Sequence, residues 1–272
     1  MRLYNKILVP YDGTISTEAT LRTACRIARW NKSTVLVVVP YFAGKEGGGE
    51  REAINSGVRQ ISRETEIPMD VVFQDGRPSD TIIDVAHKQE NDLIVLGKIT
   101  MNALEKFVIG SITGRIIGHA RCDVIIVPEN RLLRWNRILL CTDGSRYSLA
   151  AVDNAISYAA HYKKAINALS VIDRTDEFYA VAPGRANEMV EKADRGLNEI
   201  ILRAQESGVP VIPFLREGEV DKTIVEVAEA TKADMIIMGS HERVGVSRLL
   251  MGSAAKHVAM NTDCPVFIIK PE

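Results

Sequence analysis

The sequence predicts an α/β protein built from two tandem domains, each a doubly wound parallel sheet of five strands. Three observations lead to this fold class. The second half of the 272-residue chain repeats the first half, each half contains five short apolar runs, and amphipathic segments alternate with those runs. Strands that alternate with helices along a chain form a parallel sheet that is covered by helices on both faces.

The internal repeat defines the domains. "NKILVPYDGT" (residues 5–14) matches "NRILLCTDGS" (residues 136–145) at an offset of 131 residues. "DGRPSDTIIDVAHKQENDLIVLG" matches "EGEVDKTIVEVAEATKADMIIMG" at an offset of 142, so the second half has eleven extra residues. We expect these in a long loop spelled "DRTDEFYAVAPGRANE". The predicted domains are residues 1–130 and 136–272, with "NRLLRWN" as the junction.

The strands follow the same order in both halves. In the first half the apolar runs read KILVPY, STVLVVVP, MDVVFQ, DLIVLG and DVIIVP. In the second half they read RILLCT, AINALSVI, VPVIPFL, DMIIMG and PVFIIK. Continuous rather than alternating apolar runs are typical of strands that are buried on both faces of a parallel sheet.

The segments between the strands have helical periodicity. After the first strand of each half, apolar residues recur at a spacing that places them on one helix face. They are Leu21, Ala24, Ile27 and Ala28 in the first half and Leu149, Val152, Ile156 and Ala159 in the second. In sheets of this type, ligands bind beyond the carboxyl ends of the strands, where the winding direction reverses.

Composition argues against several function classes. The chain has 34 Lys and Arg against 35 Asp and Glu, so no general attraction to nucleic acid or acidic membranes is predicted. No run approaches eighteen uncharged apolar residues, and we expect a cytoplasmic protein without membrane insertion. The four cysteines occur singly, which predicts reduced, buried thiols and no metal site. They are Cys25, Cys122, Cys141 and Cys264.

The first strand of each half ends in Asp-Gly followed by a hydroxyl residue, "DGT" from Asp12 and "DGS" from Asp143. One interpretation is structural, because Asp, Ser and Thr accept backbone N–H bonds in turns and cap helices. The other is functional, because a carboxylate at the end of a strand can accept hydrogen bonds from a ribose or an adenine edge. Both interpretations are compatible.

A second repeated pattern follows the fourth strand. "GKITMNALEKFVIGS" (residues 97–111) and "GSHERVGVSRLLMGS" (residues 239–253) both begin with Gly after an apolar run and end in Gly-Ser before a predicted helix. Gly lets the backbone approach a ligand closely, and the free N–H groups of a helix N-terminus bind anions. The pattern predicts a phosphate cradle, although Gly-Ser is also a common junction between a loop and a helix.

These patterns together resemble the universal stress protein family, which has an Asp at the end of strand one and a G-x-x-G, nine residues, G-S/T motif after a strand that runs from Asp to Gly. The resemblance covers nearly the whole chain as two family units. It implies a Rossmann-like sheet per unit, of the adenine nucleotide alpha hydrolase-like type, and ATP or another adenine nucleotide, with or without Mg²⁺, in the crevice. It also implies that the last strands pair the two halves as an internal pseudo-dimer, and leaves a homodimer of whole chains open.

The resemblance also implies roles for particular residues. The aspartates Asp12 and Asp143 would contact the ribose, and the valines Val38 and Val171 would contact the adenine. The glycine loops would contact the phosphates. In the second half the implied nucleotide-binding residues are Asp143, Val171, Gly239, Ser240, His241, Gly252 and Ser253. In the first half they are Asp12, Val38, Gly97, Lys98, Gly110 and Ser111.

Both halves depart from the motif at its second glycine, which is Thr100 in one and Glu242 in the other. Glu242 would repel a phosphate by about 1 kcal/mol in a solvated setting, or about 4 in a drier one. Three or four backbone N–H bonds to a phosphate, at about 1.5 to 3 kcal/mol each, would outweigh that repulsion if the carboxylate turned outward. Lys98 makes the loop of the first half more favourable for a phosphate. The second half keeps "GSH" and adds Arg243 and Arg248, so we rank the second half first as a nucleotide site.

No motif for dedicated catalysis is present, neither G-x-x-x-x-G-K-S/T, nor H-E-x-x-H, nor G-x-S-x-G. We therefore predict a stress-response or signalling protein that binds an adenine nucleotide, with slow hydrolysis left open and a dedicated enzyme as the weakest reading. The alternative is a nucleotide-free scaffold or a carrier of an apolar ligand. It is favoured by the two motif departures and by apolar residues of the long loop, Phe178, Tyr179 and Val181.

Overall fold

The computed structural model describes residues 4–41, 48–98, 112–128, 131, 133–145, 148–173, 183–240 and 253–271. These residues divide into an N-terminal unit within Leu3–Leu132 and a C-terminal unit within Leu133–Glu272. Both units contain strands in parallel pairs with helices between them, as the apolar runs and amphipathic segments predict.

The N-terminal unit is a parallel sheet in the strand order β3-β2-β1-β4-β5. The strands are β1 (Lys6–Pro10), β2 (Thr34–Tyr41), β3 (Met69–Asp75), β4 (Leu93–Lys98) and β5 (Asp123–Pro128). The helices are α1 (Ile15–Asn31), α2 (Gly48–Thr65), α3 (Pro78–Lys88) and α4, described over residues 112–119.

The C-terminal unit repeats this topology in the order β8-β7-β6-β9-β10. Its strands are β6 (Ile138–Cys141), β7 (Ile166–Ile172), β8 (Val211–Glu217), β9 (Met235–Gly239) and β10 (Val266–Ile269). Its helices are α5 (Leu149–Tyr162), α6 (Pro183–Glu206), α7 (Val220–Ala230) and α8 (Ser253–Asn261).

The strand order creates a switch point in each sheet. The chain runs outward from β1 to β2 and β3, and then crosses back to place β4 on the other side of β1. The same reversal occurs between β6 and β9 in the C-terminal unit. Such a reversal opens a crevice at the carboxyl ends of the two adjacent strands. The predicted fold class of two doubly wound, five-stranded parallel sheets is confirmed.

Several strands belong to the core because they are apolar on both faces. Every residue of β5, β6 and β10 is buried, as are Ile7, Leu8 and Val9 of β1. The outer strand β8 is only half-buried and contains Pro213. A proline lacks the N–H that donates to a neighbouring strand, and an outer strand tolerates this loss because one of its sides has no neighbour in the sheet of its unit.

The strand registers locate the eleven-residue difference between the halves. Val35 of β2 pairs with Met69 of β3, whereas Ile166 of β7 pairs with Val211 of β8. The separations are 34 and 45 residues, so the insertion between these strands is confirmed. The expectation of a pure loop is partly wrong, since α6 has 24 residues against 18 in α2. Residues 174–182, which include the apolar loop residues, lie outside the described residues.

The junction between the halves is anchored in the C-terminal unit. Trp135 is 6% exposed and stacks on Tyr158 with ring centroids 4.2 Å apart. The Trp135 ring also stacks on Tyr162 and meets the edge of Phe267. At the repeat offset of 131 its counterpart is Tyr4, whose hydroxyl donates to Asp123 Oδ2 at 2.6 Å. The two units therefore fill the same position by different interactions.

The cysteines agree only in part with the sequence analysis. All four cysteines are free, but Cys122 and Cys264 are half-buried rather than buried. Burial raises the pKa of the Cys25 and Cys141 thiols, which keeps them protonated at neutral pH. In the part of the chain that the structure describes, no helix has both the length and the apolar character needed to cross a membrane.

Candidate functional site

Some of the predicted site residues follow or end strands at the switch point of each sheet. Asp12 follows β1, and Gly97 and Lys98 end the adjacent strand β4. In the C-terminal unit, Asp143 follows β6, and Gly239 ends the adjacent strand β9. The strand-end carboxylate and the start of the glycine loop therefore lie on neighbouring strands at the same edge of each sheet.

In the N-terminal unit the Asp12 carboxylate is bound by its own loop. Oδ1 accepts the Thr14 N–H at 3.0 Å, the Thr14 hydroxyl at 2.7 Å and the Thr17 hydroxyl at 2.6 Å. Thr14 also caps α1 by accepting the Thr17 N–H. Burial by itself raises the Asp12 pKa, but the hydrogen bonds from Thr17 and Thr14 outweigh it and hold that pKa below the ordinary value. Oδ2 makes no hydrogen bond to a residue in the described ranges.

In the C-terminal unit the equivalent loop is arranged differently. Asp143 Oδ1 accepts the Ser145 N–H at 2.9 Å. Ser148, the counterpart of Thr17 at the repeat offset, contacts Thr142 Oγ1 at 2.9 Å and donates to the Ser145 carbonyl at 2.8 Å. The third hydroxyl of this loop therefore contacts Thr142 and the backbone, whereas its N-terminal counterpart contacts the aspartate. Gly144 has a φ of +66°, a conformation that favours glycine.

Two hydroxyl groups that follow the carboxyl ends of β6 and β9 are buried without a partner in the described part of the chain. These are the Oγ atoms of Ser145 and Ser240. Ser240 is 4% exposed, and its N–H donates to the Ile269 carbonyl of β10 at 2.9 Å. At the repeat offsets their N-terminal counterparts are Thr14, whose hydroxyl is fully engaged, and Lys98. Ser145 was not predicted as a site residue, because a serine in a turn carries no sequence signal of an unpaired hydroxyl.

Gly97 has a reason to be glycine within the protein itself. A Cβ atom at this position would overlap Oγ1 of Thr20, which lies on α1 and is 5% exposed. Close packing of α1 on β4 therefore requires a bare backbone here, whether or not a ligand also approaches. In the C-terminal unit the residue in the place of Thr20 is the smaller Ala151, at the repeat offset of 131.

Gly196 is a residue that the sequence analysis missed. It lies within α6, and a Cβ on it would be 3.2 Å from the Cα of Gly144 in the Asp-Gly turn. Its counterpart at the repeat offset of 142 is Ile54 of α2, whose Cγ1 is 3.7 Å from the position of a Cβ on Gly13. An isolated glycine inside a helical pattern is the signal that could have found it, since such glycines often mark close packing.

The two predicted valines, Val38 and Val171, do not occupy equivalent positions along their strands β2 and β7. The Val38 carbonyl accepts the Tyr11 N–H at 3.0 Å, and in the other unit the matching acceptor, for Thr142, is the Leu169 carbonyl at 2.9 Å. Val171 lies two residues beyond Leu169 and pairs with Arg216. The counterpart of Val38 is therefore Leu169, which corrects the expected match between Val38 and Val171. Val38 is fully buried, so its side chain belongs to the core.

The remaining predicted site residues are only partly described. Gly110, Ser111, His241 and Gly252 lie outside the described residues, as do Thr100 and Glu242 at the motif departures. Ser253 is the first residue of α8, so the predicted helix start is confirmed.

A side-chain contact links the helix that follows each glycine loop to the helix before that loop. His257 of α8 contacts Asp221 of α7 with 3.0 Å between Nδ1 and Oδ2. In the N-terminal unit Arg115 of α4 contacts Asp80 of α3 at 2.6 Å. Arg115 and His257 are counterparts at the repeat offset of 142. Both pairs are largely exposed to solvent, so each contributes little to stability.

The rest of the described surface adds no further predicted site residue. A concavity of about 930 Å³ runs along α2 between Arg51 and Glu64, and none of the predicted site residues lines it. Within the described ranges no group of three or more His, Cys, Asp or Glu side chains is placed to hold a metal ion.

Fold and site together define a tandem α/β protein with an aspartate after the first strand at the switch point of each half. The profile of the universal stress protein family matches residues 3–128 and again residues 134–270. The chain belongs to the universal stress protein family, as two tandem family units.

Individual relatives agree with this assignment. The chain is 33% identical over 141 residues to a universal stress protein of Methanocaldococcus jannaschii, which covers 50% of this chain and 82% of that protein. It is 24% identical over 294 residues to a universal stress protein of Mycolicibacterium smegmatis, with 97% of both chains covered. The crystal structure of a universal stress protein from Archaeoglobus fulgidus has a TM-score of 0.70 at 20% identity, covers 98% of this chain and 96% of that one, and supports the fold.

Proposed function

We propose that this chain is a cytoplasmic stress-response protein that binds ATP or a related adenine nucleotide at its strand-end crevices, first of all in the C-terminal unit, without dedicated catalysis. One observation carries the proposal. At a switch point, a carboxylate follows one strand and a loop that begins with glycine follows the neighbouring strand. In the C-terminal unit these groups are Asp143 after β6 and Gly239 at the end of β9.

The two sides of this crevice suit different parts of a nucleotide. A carboxylate accepts hydrogen bonds, so Asp143 suits the hydroxyl groups of a ribose. Unpartnered hydroxyls and a glycine backbone supply donors and close approach, which suit phosphate oxygens. Mg²⁺ is usually held by the phosphates of a nucleotide and one or two carboxylates.

The N-terminal unit is proposed as the weaker site. Three hydrogen bonds from Thr14 and Thr17 already converge on one oxygen of Asp12. A ligand would have to use the other oxygen or displace the helix cap. We therefore expect Asp12 to act mainly as a structural residue.

Thermal unfolding in the presence of ATP, ADP, AMP and adenosine, with and without Mg²⁺, tests the proposal. A ligand present at one hundred times its Kd stabilises the folded protein by about 2.7 kcal/mol. The matched variants are Asp143→Ala and Asp12→Ala. We expect Asp143→Ala to reduce the ligand-induced shift most, and Asp12→Ala chiefly to lower the Tm without ligand. If no nucleotide shifts the Tm of the unsubstituted chain, the proposal is wrong.

Mass spectrometry of the purified protein separates this proposal from the alternative of an apolar carrier or nucleotide-free scaffold, because a bound nucleotide and a bound lipid differ in mass. The pairing of the two halves through their last strands, and the formation of a homodimer, stay predictions. Light scattering after size-exclusion chromatography measures the second of these directly.

A further inference from the structure

Two buried hydroxyl groups at the carboxyl edge of the C-terminal sheet have no hydrogen-bond partner in the described part of the chain, namely Ser145 Oγ and Ser240 Oγ. We propose that both are ligand contacts, which donate to the phosphate oxygens of a nucleotide in the C-terminal crevice. The inference rests on the proposed function. It names the two hydroxyl groups that would make the C-terminal unit the stronger nucleotide site.

An unpartnered buried hydroxyl is unfavourable, because it has lost its hydrogen bonds to water without replacing them. Eight side chains in the described residues have a buried nitrogen or oxygen atom without a partner, and three of these atoms are hydroxyls. Six of them lie on helices or at the amino ends of strands, namely Asn31, Thr81, His87, Asn91, Trp135 and Asn154. Only Ser145 and Ser240 of these eight follow the carboxyl ends of strands, where ligands bind in doubly wound sheets.

The two serines follow neighbouring strands, since Cys141 of β6 pairs with Met238 of β9. Their backbones are already held in place. The Ser145 N–H donates to Asp143, and the Ser240 N–H donates to the Ile269 carbonyl. The main chain is thus fixed while the hydroxyls remain unsatisfied, an arrangement that prepares donors for an incoming acceptor.

The N-terminal unit lacks this pair. In the place of Ser145 it has Thr14, whose hydroxyl donates to Asp12 at 2.7 Å and accepts the Thr17 N–H. In the place of Ser240 it has Lys98, a cation on a long side chain. The equivalent hydroxyl is therefore used internally, and we expect one strong nucleotide site in each chain.

A phosphate is the ligand group that fits unpartnered hydroxyl donors. Hydrogen bonds to an ionised oxygen are shorter and roughly twice as strong as those between neutral groups. Asp143, on the same turn as Ser145, would repel a phosphate placed against it but would accept a ribose hydroxyl. The crevice therefore orders the ligand, with its ribose toward Asp143 and its phosphates toward the serine hydroxyls.

The test uses the full-length chain and the variants Ser145→Ala and Ser240→Ala. Thr81→Val is the matched control, because it also removes a buried hydroxyl without a described partner but lies on α3 of the other unit. Isothermal titration calorimetry gives the Kd and stoichiometry for ATP and adenosine, and circular dichroism gives the Tm without ligand. We expect either serine variant to raise the Kd for ATP about 10- to 100-fold, with one strong site per chain. The Kd for adenosine should change less than about threefold, since adenosine has no phosphate for these donors.

The Tm without ligand separates a ligand contact from a structural role. Removal of a hydroxyl without a partner should leave the Tm unchanged or raised in all three variants. If both serine variants bind ATP as tightly as the unsubstituted chain, the inference is overturned while the proposed function stands. Equal losses for ATP and adenosine would overturn the assignment to phosphate. If the unsubstituted chain binds no nucleotide, the proposed function fails and the inference fails with it.

Discussion

Replacement of Gly97 by alanine tests the packing of α1 on β4. A Cβ at this position would overlap Thr20 Oγ1. The Thr20 side chain cannot simply swing away, because it is 5% exposed and its hydroxyl donates to the Ser16 carbonyl at 3.0 Å. Overpacking of this kind costs about 1 to 3 kcal/mol. For a unit of this size, that cost corresponds to a fall in Tm of roughly 3 to 15 °C.

The partner variant Thr20→Ala should remove most of this cost. Alanine at position 20 reproduces the arrangement of the C-terminal unit, where Ala151 stands in the place of Thr20. We expect Gly97→Ala to be clearly destabilised, Thr20→Ala to lose about 1 kcal/mol for its hydrogen bond, and the double variant to be more stable than Gly97→Ala. Thermal unfolding followed by circular dichroism measures all four proteins.

Two outcomes would refute this reasoning. If Gly97→Ala unfolds at the same temperature as the unsubstituted chain, the α1 contact does not require glycine. If the double variant is no more stable than Gly97→Ala, Thr20 is not the group that the new methyl meets. A variant with a normal Tm that loses nucleotide binding would instead restore the interpretation that Gly97 serves the ligand.

Three further predictions concern other parts of the two units. Tyr4→Phe should cost about 1 to 3 kcal/mol, because Asp123, which is 1% exposed, loses a hydrogen-bond donor; urea unfolding measures this. Trp135→Ala should cost about 3 to 5 kcal/mol and remove a near-ultraviolet circular dichroism signal, because a buried, stacked ring is lost. The lowered pKa of Asp12 means that its ionised form stabilises the fold above the ordinary carboxyl pKa of 3.8, and that this contribution is lost as the pH falls through the folded-state pKa. Asp12→Asn should therefore flatten the acid limb of a plot of stability against pH.

Each of these predictions has a clear contrary result. A Tyr4→Phe protein as stable as the unsubstituted chain would mean that the other contacts of Asp123 suffice. A small effect of Trp135→Ala would mean that the junction is not part of the C-terminal core. An acid limb unchanged by Asp12→Asn would show that the Thr14 and Thr17 hydrogen bonds do not depend on the charge.

The sequence by itself was enough to predict the repeat, the strands, the doubly wound class and the positions of the strand-end aspartates. Continuous apolar runs report burial on both faces of a strand, and Asp-Gly turns report local backbone geometry. Both signals arise within a few residues of one another, so they can be read without knowledge of distant contacts. The start of α8 at Ser253 belongs to the same class, because a helix start is signalled by neighbouring residues.

Only the tertiary structure decided how the candidate site is used. It showed that Gly97 is required by Thr20, that Val38 matches Leu169 rather than Val171, and that part of the inserted segment extends a helix. The pattern "DGT" and its counterpart "DGS" look interchangeable in the sequence, yet one hydroxyl is engaged by its own loop and the other is left without a described partner. Whether a polar group is satisfied depends on atoms that distant segments bring within about 3 Å, and local residue patterns do not encode that distance.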